Sequence, residues 1–419
     1  MQLTQEQLDA TEEFKNFLMS QDVNEFVLQG YSGTGKSFMT KHLIKSARNV
    51  TKLLNMLTND SGDLRVVCTA TTNKAAAVLA EATGEDAGTI HSYLKLSLVT
   101  NYSTGKQSIK KTKEYKVRKN TLIIIDEAGF LDDATLAIIR ESVEGCKVVF
   151  IGDPDQLVGV NAKTASAFLN PQAIGVLTTP MRFGDNNEIG DLGHAFRQAI
   201  HTGKFPGIHA DGKVVRKVYG DEFQALIDAE FTNADSKPLN HAKILTWTNI
   251  AGSNYNKYCR ALNHTDAYYT AGETLIANTP VVINGKIVLC NEAHARITRA
   301  DSTHSVEYGV KCQWLEMNQV RMCVALDSAE LKEKLKVLSK QKDWHNYYTV
   351  KEFFADLRPP HASTVHKSQG STYKKVFIDL VDIGANHVSE EVARMLYVAI
   401  TRASEEVILY GDLPYKYQG

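Results

Sequence analysis

Long apolar runs are missing from this sequence. None approaches the ~18 residues that a bilayer span requires, so no membrane-embedded segment and no membrane partner is expected. Cysteine is scarce. Cys68, Cys146, Cys259, Cys290, Cys312 and Cys323 form no C-x-x-C pair and no paired-ligand spacing. They read as reduced thiols of an intracellular protein without a structural zinc. An excess of one charge is missing too: 47 Lys and Arg face 48 Asp and Glu, for a formal net charge of −1. No global basic field announces a nucleic acid, so any such surface must be local. There is no internal repeat and no low-complexity tract. The polar, acidic first residues are expected to be neither a signal nor a transit peptide. What is there is 419 residues, 43% hydrophobic and 23% charged. That is a soluble globular composition with room for two to four domains.

The strongest local pattern is Gly30-Tyr31-Ser32-Gly33-Thr34-Gly35-Lys36-Ser37, which fits the phosphate-binding loop G-x-x-x-x-G-K-[ST] at every defined position. Glycines let the backbone curl so that several N–H groups face one phosphate chain, and the following helix N-terminus adds partial positive charge. Lys36 can reach the β- and γ-phosphates, and Ser37 can offer its hydroxyl to Mg²⁺. The flanks suit this: Glu25 to Gln29 reads as a short buried strand and Phe38 to Ile44 as a helix with an apolar face. The competing account, a glycine-rich turn with no ligand, leaves the full motif to chance.

Upstream, Thr4 and Gln7 form a capping box at the start of a helix. Gln7 could equally read an adenine edge through its amide, and the sequence leaves both open. Arg65 to Ala70 reads as the second strand. Thr71, Thr72, Asn73 and Lys74 follow, as a helix cap or as a seat for a backbone phosphate. In Thr89-Ile90-His91-Ser92 a lone histidine is more often structural than a ligand. Ser97 to Asn120 breaks the pattern, with a turn over Val99 to Gly105 inside a hairpin. Its run of Lys110, Lys111, Lys113, Lys116, Arg118 and Lys119 is a solvated face or a nucleic-acid contact.

Thr121 to Ala128 is uniformly apolar until Asp126 and Glu127, as a central parallel strand buried on both faces would be. Acids at the carboxyl end of such a strand lie where open α/β sheets bind ligands. Asp126 would hold Mg²⁺ and Glu127 would polarise an attacking water. Lys147 to Leu157 repeats the design and delivers Gln156. Arg182 follows as a candidate cation for a γ-phosphate. A second α/β region begins near Phe183, with a strand at Ala242 to Trp247 and a helix near Asn254 to Leu262. Val281 to Val288 carries a strand–Asn-Gly–strand hairpin signal, and short strands continue to Leu326. Ala329 to Gln341 reads as a charged helix. The aromatics from Asp343 to Tyr348 could stack bases, but packing of a small domain is the favoured account. His361 to Ser371 reads as a polar loop, Val376 to Leu380 as a strand, Glu390 to Arg402 as a helix and Glu406 to Tyr410 as the last strand.

Taken in order, Gly30–Ser37, Thr69–Lys74, Thr89–Ser92, Ile125–Ala128, Gly152–Leu157, Thr364–Gly370 and Leu396–Ala403 resemble the superfamily 1 helicases, within them the 5′→3′ RecD/Dda-like group. T-V-H-K-S-Q-G and L-Y-V-A-I-T-R-A are the most specific pieces. The resemblance implies an α/β fold of two RecA-like parallel-sheet domains, an inserted β-hairpin pin and a small SH3-like β-barrel insertion. The implied division is 1–96 with 120–184 for the first domain, 97–119 for the pin, 185–271 with 359–419 for the second domain, and 272–358 for the barrel-plus-tower insertion. It implies ATP and Mg²⁺, with Gln7, Gly33, Thr34, Gly35, Lys36, Ser37, Gln369 and Gly370 around the nucleotide, and Ser37 and Asp126 at the metal. Lys36, Glu127, Gln156, Arg182 and Arg402 would be catalytic, Arg402 as an arginine finger from across the cleft. Thr71, Asn73, Lys74, Thr89, His91, Thr364 and His366 would line a single-strand track, and Leu98, Val99 or Tyr102 would form the pin tip.

The implied function is ATP-driven 5′→3′ translocation on single-stranded DNA with duplex unwinding, by a cytoplasmic monomer in a bacterial cell or phage-infected host. Replication or recombination proteins would be its partners. Two alternatives compete with it: a 3′→5′ helicase, and an ATP-gated remodeller that separates no strands.

Overall fold

The computed structural model describes residues 3–58, 64–101, 106–158, 165–181, 187–208, 210, 212–264, 266, 268–283 and 285–418. Arg182 and Tyr102 therefore lie outside the described residues.

The first sheet has six strands. In spatial order they are Ala173–Leu177, Glu25–Gly30, Lys147–Gly152, Thr121–Asp126, Arg65–Ala70 and Ala87–Thr89. Every pairing between them is parallel. Parallel strands need helical crossovers that cover both faces, so their residues are apolar on both sides. The pleat sorts them. Phe26, Leu28, Leu122, Ile124, Val149 and Ile151 pack beneath helices Gln5–Met19 and Lys36–Thr58. Val27, Ile123, Ile125, Val148 and Phe150 pack on the other face with Ile90, Leu136 and Ile139. Each fully buried aliphatic side chain stabilises the fold by about 1.5–3 kcal/mol.

The second sheet, Val215–Val218, Ala403–Tyr410, Tyr373–Asp379, Ala242–Thr246 and Ala362–Thr364, is also parallel throughout. Leu245, Val376, Ile378, Val407 and Leu409 face one core, and Ile244, Phe377 and Ile408 the opposite one. Two details differ from the sequence expectation. The stretch expected as a polar loop instead contributes the strand Ala362–Thr364 and a single helical turn, Val365–Ser368. The helix expected near Asn254 begins at Asn249, because Thr248 caps it by accepting from the Ala251 N–H.

Between two strands of this sheet the chain builds an antiparallel insertion. Val320–Ala325, Val310–Met317, His294–Ala300, Thr274–Ala277 and Leu357–Arg358 pair in succession. The Ala355 N–H then bonds the Cys323 carbonyl at 2.8 Å, which closes the circuit. Leu275, Ile297, Leu315, Met322, Val324 and Leu357 fill its inside. Helices Ser328–Lys340 and Trp344–Phe353 lie against its outside, through Leu338, Val350 and Phe354 on Val310, Cys312 and Cys323. The aromatic run is therefore packed: Trp344 and Tyr347 meet edge-on at 5.7 Å, Tyr347 and Tyr348 at 5.0 Å.

From the first sheet projects a two-stranded hairpin, Leu96–Asn101 with Lys106–Lys111. Its first strand runs two residues beyond the expected turn start at Val99, since the ladder continues through Asn101 opposite Lys106.

Candidate functional site at the junction of the two sheets

Three neighbouring strands of the first sheet end side by side. Glu25–Gly30 runs into the glycine-rich loop, Thr121–Asp126 into Glu127, and Lys147–Gly152 into Asp153 and Gln156. Their register, with Gln29 opposite Gly152, puts the loops on one edge, where ligands of parallel sheets sit.

The loop needs its glycines. Gly33 and Gly35 stand at φ 83° and 84°, conformations that side chains rarely adopt. A Cβ on Gly30 would fall 2.7 Å from Thr34 Oγ1. The Lys36 ammonium folds onto the loop and donates to the Gly30 and Tyr31 carbonyls at 2.7 and 3.0 Å. Ser37, half-buried, sits in the first turn of the following helix. Gln7 serves its cap, accepting from the Thr4 N–H at 3.2 Å, while its amide nitrogen lies 3.4 Å from where a Gly35 Cβ would be. The cap bond and a position beside the glycine-rich loop coincide in one side chain.

Burial, with the neighbouring Glu127 charge, holds the Asp126 carboxyl up at about 7, against the pull of Lys36. Glu127 takes a left-handed backbone, φ 53°, which a residue of its size adopts only where its surroundings impose it. Thr71 ties into this corner: its N–H donates to the Asp126 carbonyl at 3.3 Å and its hydroxyl to the Glu127 carbonyl at 3.2 Å. Lys74 is half-buried on the next turn, its ammonium 3.5 Å from the Lys367 carbonyl, and Asn73 is exposed. Thr89 caps the short helix that carries His91, accepting from the Ser92 N–H at 3.1 Å. Burial lowers the His91 pKa. Thr364 is buried at its strand end and His366 is exposed on the turn that follows.

The second sheet closes over this edge. The fully buried Arg402 donates to Ser32 Oγ at 2.9 Å. Burial lowers the guanidinium's pKa, and Glu127's charge opposes that. Gln369 donates to Gln156 Oε1 at 3.5 Å and to the Leu157 carbonyl at 3.4 Å, while its own Oε1 is buried with no partner among the described residues. A Cβ on Gly370, at φ 72°, would lie 3.9 Å from Glu127 Oε1.

Other contacts here went unread in the sequence. The Tyr397 hydroxyl accepts from the Ser32 N–H at 2.9 Å and donates to Asp153 Oδ2 at 2.6 Å. Arg394 donates to the Pro154 and Gln156 carbonyls at 2.7 and 2.9 Å. Arg197 lies over the Tyr31 ring, 3.3 Å from its centroid. Tyr397 and Asp153 fall inside stretches that carried the resemblance, which was the available signal; Arg197 had none.

The fit to a nucleoside triphosphate rests on three observations. The loop's backbone curls through positive φ at Gly33 and Gly35 and leaves no space for a Cβ at Gly30, the Lys36 ammonium lies on the loop, and the buried amide oxygen of Gln369 is unpartnered among the described residues. The half-buried Asp126 carboxyl plus the Ser37 hydroxyl suits a magnesium ion that takes its remaining ligands from phosphates and water. Among the described residues no helix is long and apolar enough to cross a membrane.

Residues 2–215 match the AAA domain family, and residues 360–410 the UvrD-like helicase C-terminal domain. The chain is 24% identical to the ATP-dependent DNA helicase dda of Enterobacteria phage T4, over 91% of this chain and 93% of that protein. It is 23% identical to an uncharacterized protein of Acanthamoeba polyphaga mimivirus, over 96% and 98%. In structure it resembles the Pif1 helicase from Bacteroides in complex with ADP-AlF3 and ssDNA, with a TM-score of 0.50 at 17% identity, covering 100% of this chain and 94% of that one. A Pif1 structure describing unwinding at forked dsDNA gives a TM-score of 0.51 at 17% identity, over 99% and 93%. At these identities the structural likeness is one of fold. The chain belongs to the AAA domain family and, with its UvrD-like segment at residues 360–410, is a superfamily 1 helicase of the RecD/Dda-like group.

Proposed function

We propose that this protein is an ATP-dependent DNA helicase that moves 5′→3′ along single-stranded DNA and unwinds duplex. The observation that carries this reading is the 2.9 Å contact from Arg402 to Ser32 of the phosphate-loop motif. It sets a cation of the second sheet on the nucleotide loop of the first, so the state of one site can control how the two lobes sit.

The roles follow from position. Lys36, the loop N–H groups and Ser37 would hold the triphosphate of ATP, with Gln7, Gln369 and Gly370 around it. Asp126 and Ser37 would hold Mg²⁺, which when bound neutralises phosphate charge. Glu127 would orient and deprotonate water, and Gln156 would act with it. Arg402 meets charge that develops on the γ-phosphoryl, which is most effective in a closed, water-poor cleft. Arg182 is proposed as a further cation there.

Closure favoured by nucleotide and release after hydrolysis shift the lobes between two states. Thr71 reports such a change directly, because it is bonded to the backbone of Asp126 and Glu127. Thr71, Asn73, Lys74, Thr89 and His91 on one lobe, and Thr364 and His366 on the other, would grip the strand by phosphate and sugar contacts with little sequence preference. The projecting hairpin, with Tyr102 at its expected tip, would split the duplex. The domains would divide at 96, 119, 184, 271 and 358, and the protein would act as a cytoplasmic monomer.

The test is unwinding of duplexes carrying either a 5′ or a 3′ single-stranded tail. ATP-dependent opening of the 5′-tailed duplex alone is expected. Opening of only the 3′-tailed one reverses the direction. DNA-stimulated ATPase with neither opened would make the protein a remodeller.

A further inference from the structure

A second charged cluster lies beyond the nucleotide cleft, where both sheets meet the antiparallel insertion. Lys74 comes from the first sheet's side, Lys243 and Lys367 from the second, and Glu292 from the insertion. Lys243 is 3% exposed, and its ammonium donates to the Pro360 carbonyl at 2.6 Å. Lys367 donates to the Asn278 carbonyl at 2.8 Å and stands 3.5 Å from the Glu292 carboxylate. A buried cation cluster needs compensating charge; the Glu292 carboxylate acts on all three lysines, and Asp356 adds to it at Lys367. Burial and the charges of Lys243 and Lys74 press the nearby His294 down to about 4.

Glu292 is an unusual residue for its position. It turns the chain between Lys286–Leu289 and His294–Ala300 at φ 62°, where glycine or asparagine is the unstrained choice. Its side chain is nevertheless only 10% exposed. The crevice it enters is also lined by Ser363, Thr364, Lys367, Lys243 and Arg358, and has a cavity volume of about 20 Å³, which a single water fills. Ser363 Oγ is buried there with no hydrogen-bond partner among the described residues. The crevice thus offers cations and an unmet hydroxyl, and its one acid sits on a strained turn.

We infer that the Glu292 carboxylate occupies the seat of a backbone phosphate of single-stranded nucleic acid, and that a strand entering the track must displace it. This rests on the proposed single-strand track, since Thr364 and Lys74 border the seat. The insertion thereby sets the threshold for gripping a strand: the latch suppresses binding of short or weakly held strands.

The test is the affinity of the nucleotide-free chain for a fluorescein-labelled 12-nucleotide oligothymidylate across a salt series. Glu292→Gln is expected to tighten binding about five- to tenfold, and to steepen the salt dependence by about 0.7 for the phosphate gained. Glu292→Gly, which suits the positive φ, is expected to give the same gain with its fold secure. Lys367→Gln in the Glu292→Gln background is expected to return affinity toward the wild-type value. Unchanged or weaker binding by folded Glu292→Gln and Glu292→Gly overturns the latch while leaving the helicase reading intact. A wild-type chain that binds no oligonucleotide at any salt overturns that reading, and the latch with it.

Discussion

Arg402 and Ser32 lie 370 residues apart in sequence and share a 2.9 Å hydrogen bond. The guanidinium is buried, and the carboxylates that act on it, Glu127 and Asp153, belong to the edge that carries the glycine-rich loop. Under the proposed function, this contact would bring the arginine to the loop that binds the phosphates.

Arg402→Lys keeps a charge but loses the planar fork. We expect kcat for ATP to fall about a thousandfold, with nucleotide affinity changed by less than about threefold. Single-turnover hydrolysis alongside fluorescent-nucleotide titration separates the two. A variant with full kcat removes Arg402 from the chemistry.

Lys36→Ala removes the cation that bonds the Gly30 and Tyr31 carbonyls. ATPase activity should drop by at least about a hundredfold, while the thermal transition stays within a few degrees because the lysine supports no core packing. Phosphate release and calorimetry check this, and normal turnover would contradict the phosphate-loop role.

Tyr397→Phe deletes one oxygen, the bridge between the Ser32 N–H and Asp153. Leaving the buried Asp153 short of a donor should cost about 1–3 kcal/mol in denaturant unfolding. Adding Asp153→Asn should cost much less than it does alone, because the two residues act as a unit. Strict additivity would mean the bridge is not coupled.

Burial, reinforced by Lys243, presses the His361 imidazole down to about 4, with its ring 5.7 Å from that of Phe231. The unfolded chain then binds more protons than the folded one between pH 4 and 6.5. Stability contributed by the neutral ring is full above 6.5 and is lost as the pH falls through 4. His361→Gln should flatten the decline over that window by about 3 kcal/mol, as read by urea unfolding at successive pH values. An unchanged slope would deny the shift.

Replacing residues 98–109 with a short Gly-Ser turn removes the hairpin outside the sheet it projects from. DNA-stimulated ATPase should survive within about twofold, while strand separation should fall by at least about tenfold. Unwinding at the wild-type rate would leave the hairpin without a role at the fork.

Sequence alone determined the parts whose cause is local. The phosphate loop depends on glycine freedom and on one lysine at fixed spacing. The strand ending in Asp126 and Glu127 is legible because a parallel strand buried on both faces must be apolar until it emerges. Asn-Gly at a hairpin and Thr4 with Gln7 at a helix start are likewise written in neighbouring residues. Tertiary structure decided what depends on partners far along the chain. Ala362–Thr364 is a strand because Ala242–Thr246 offers it a parallel edge, although its three residues carry no alternation of their own. Tyr397 lies on a helix face that looks like any core face until Asp153 and Ser32 arrive opposite it. Glu292 gains its meaning from Lys74, Lys243 and Lys367, which come from three separate stretches of chain. Propensity acts over a few residues, whereas charge and hydrogen bonding act over ångströms, and folding alone decides which residues those ångströms join.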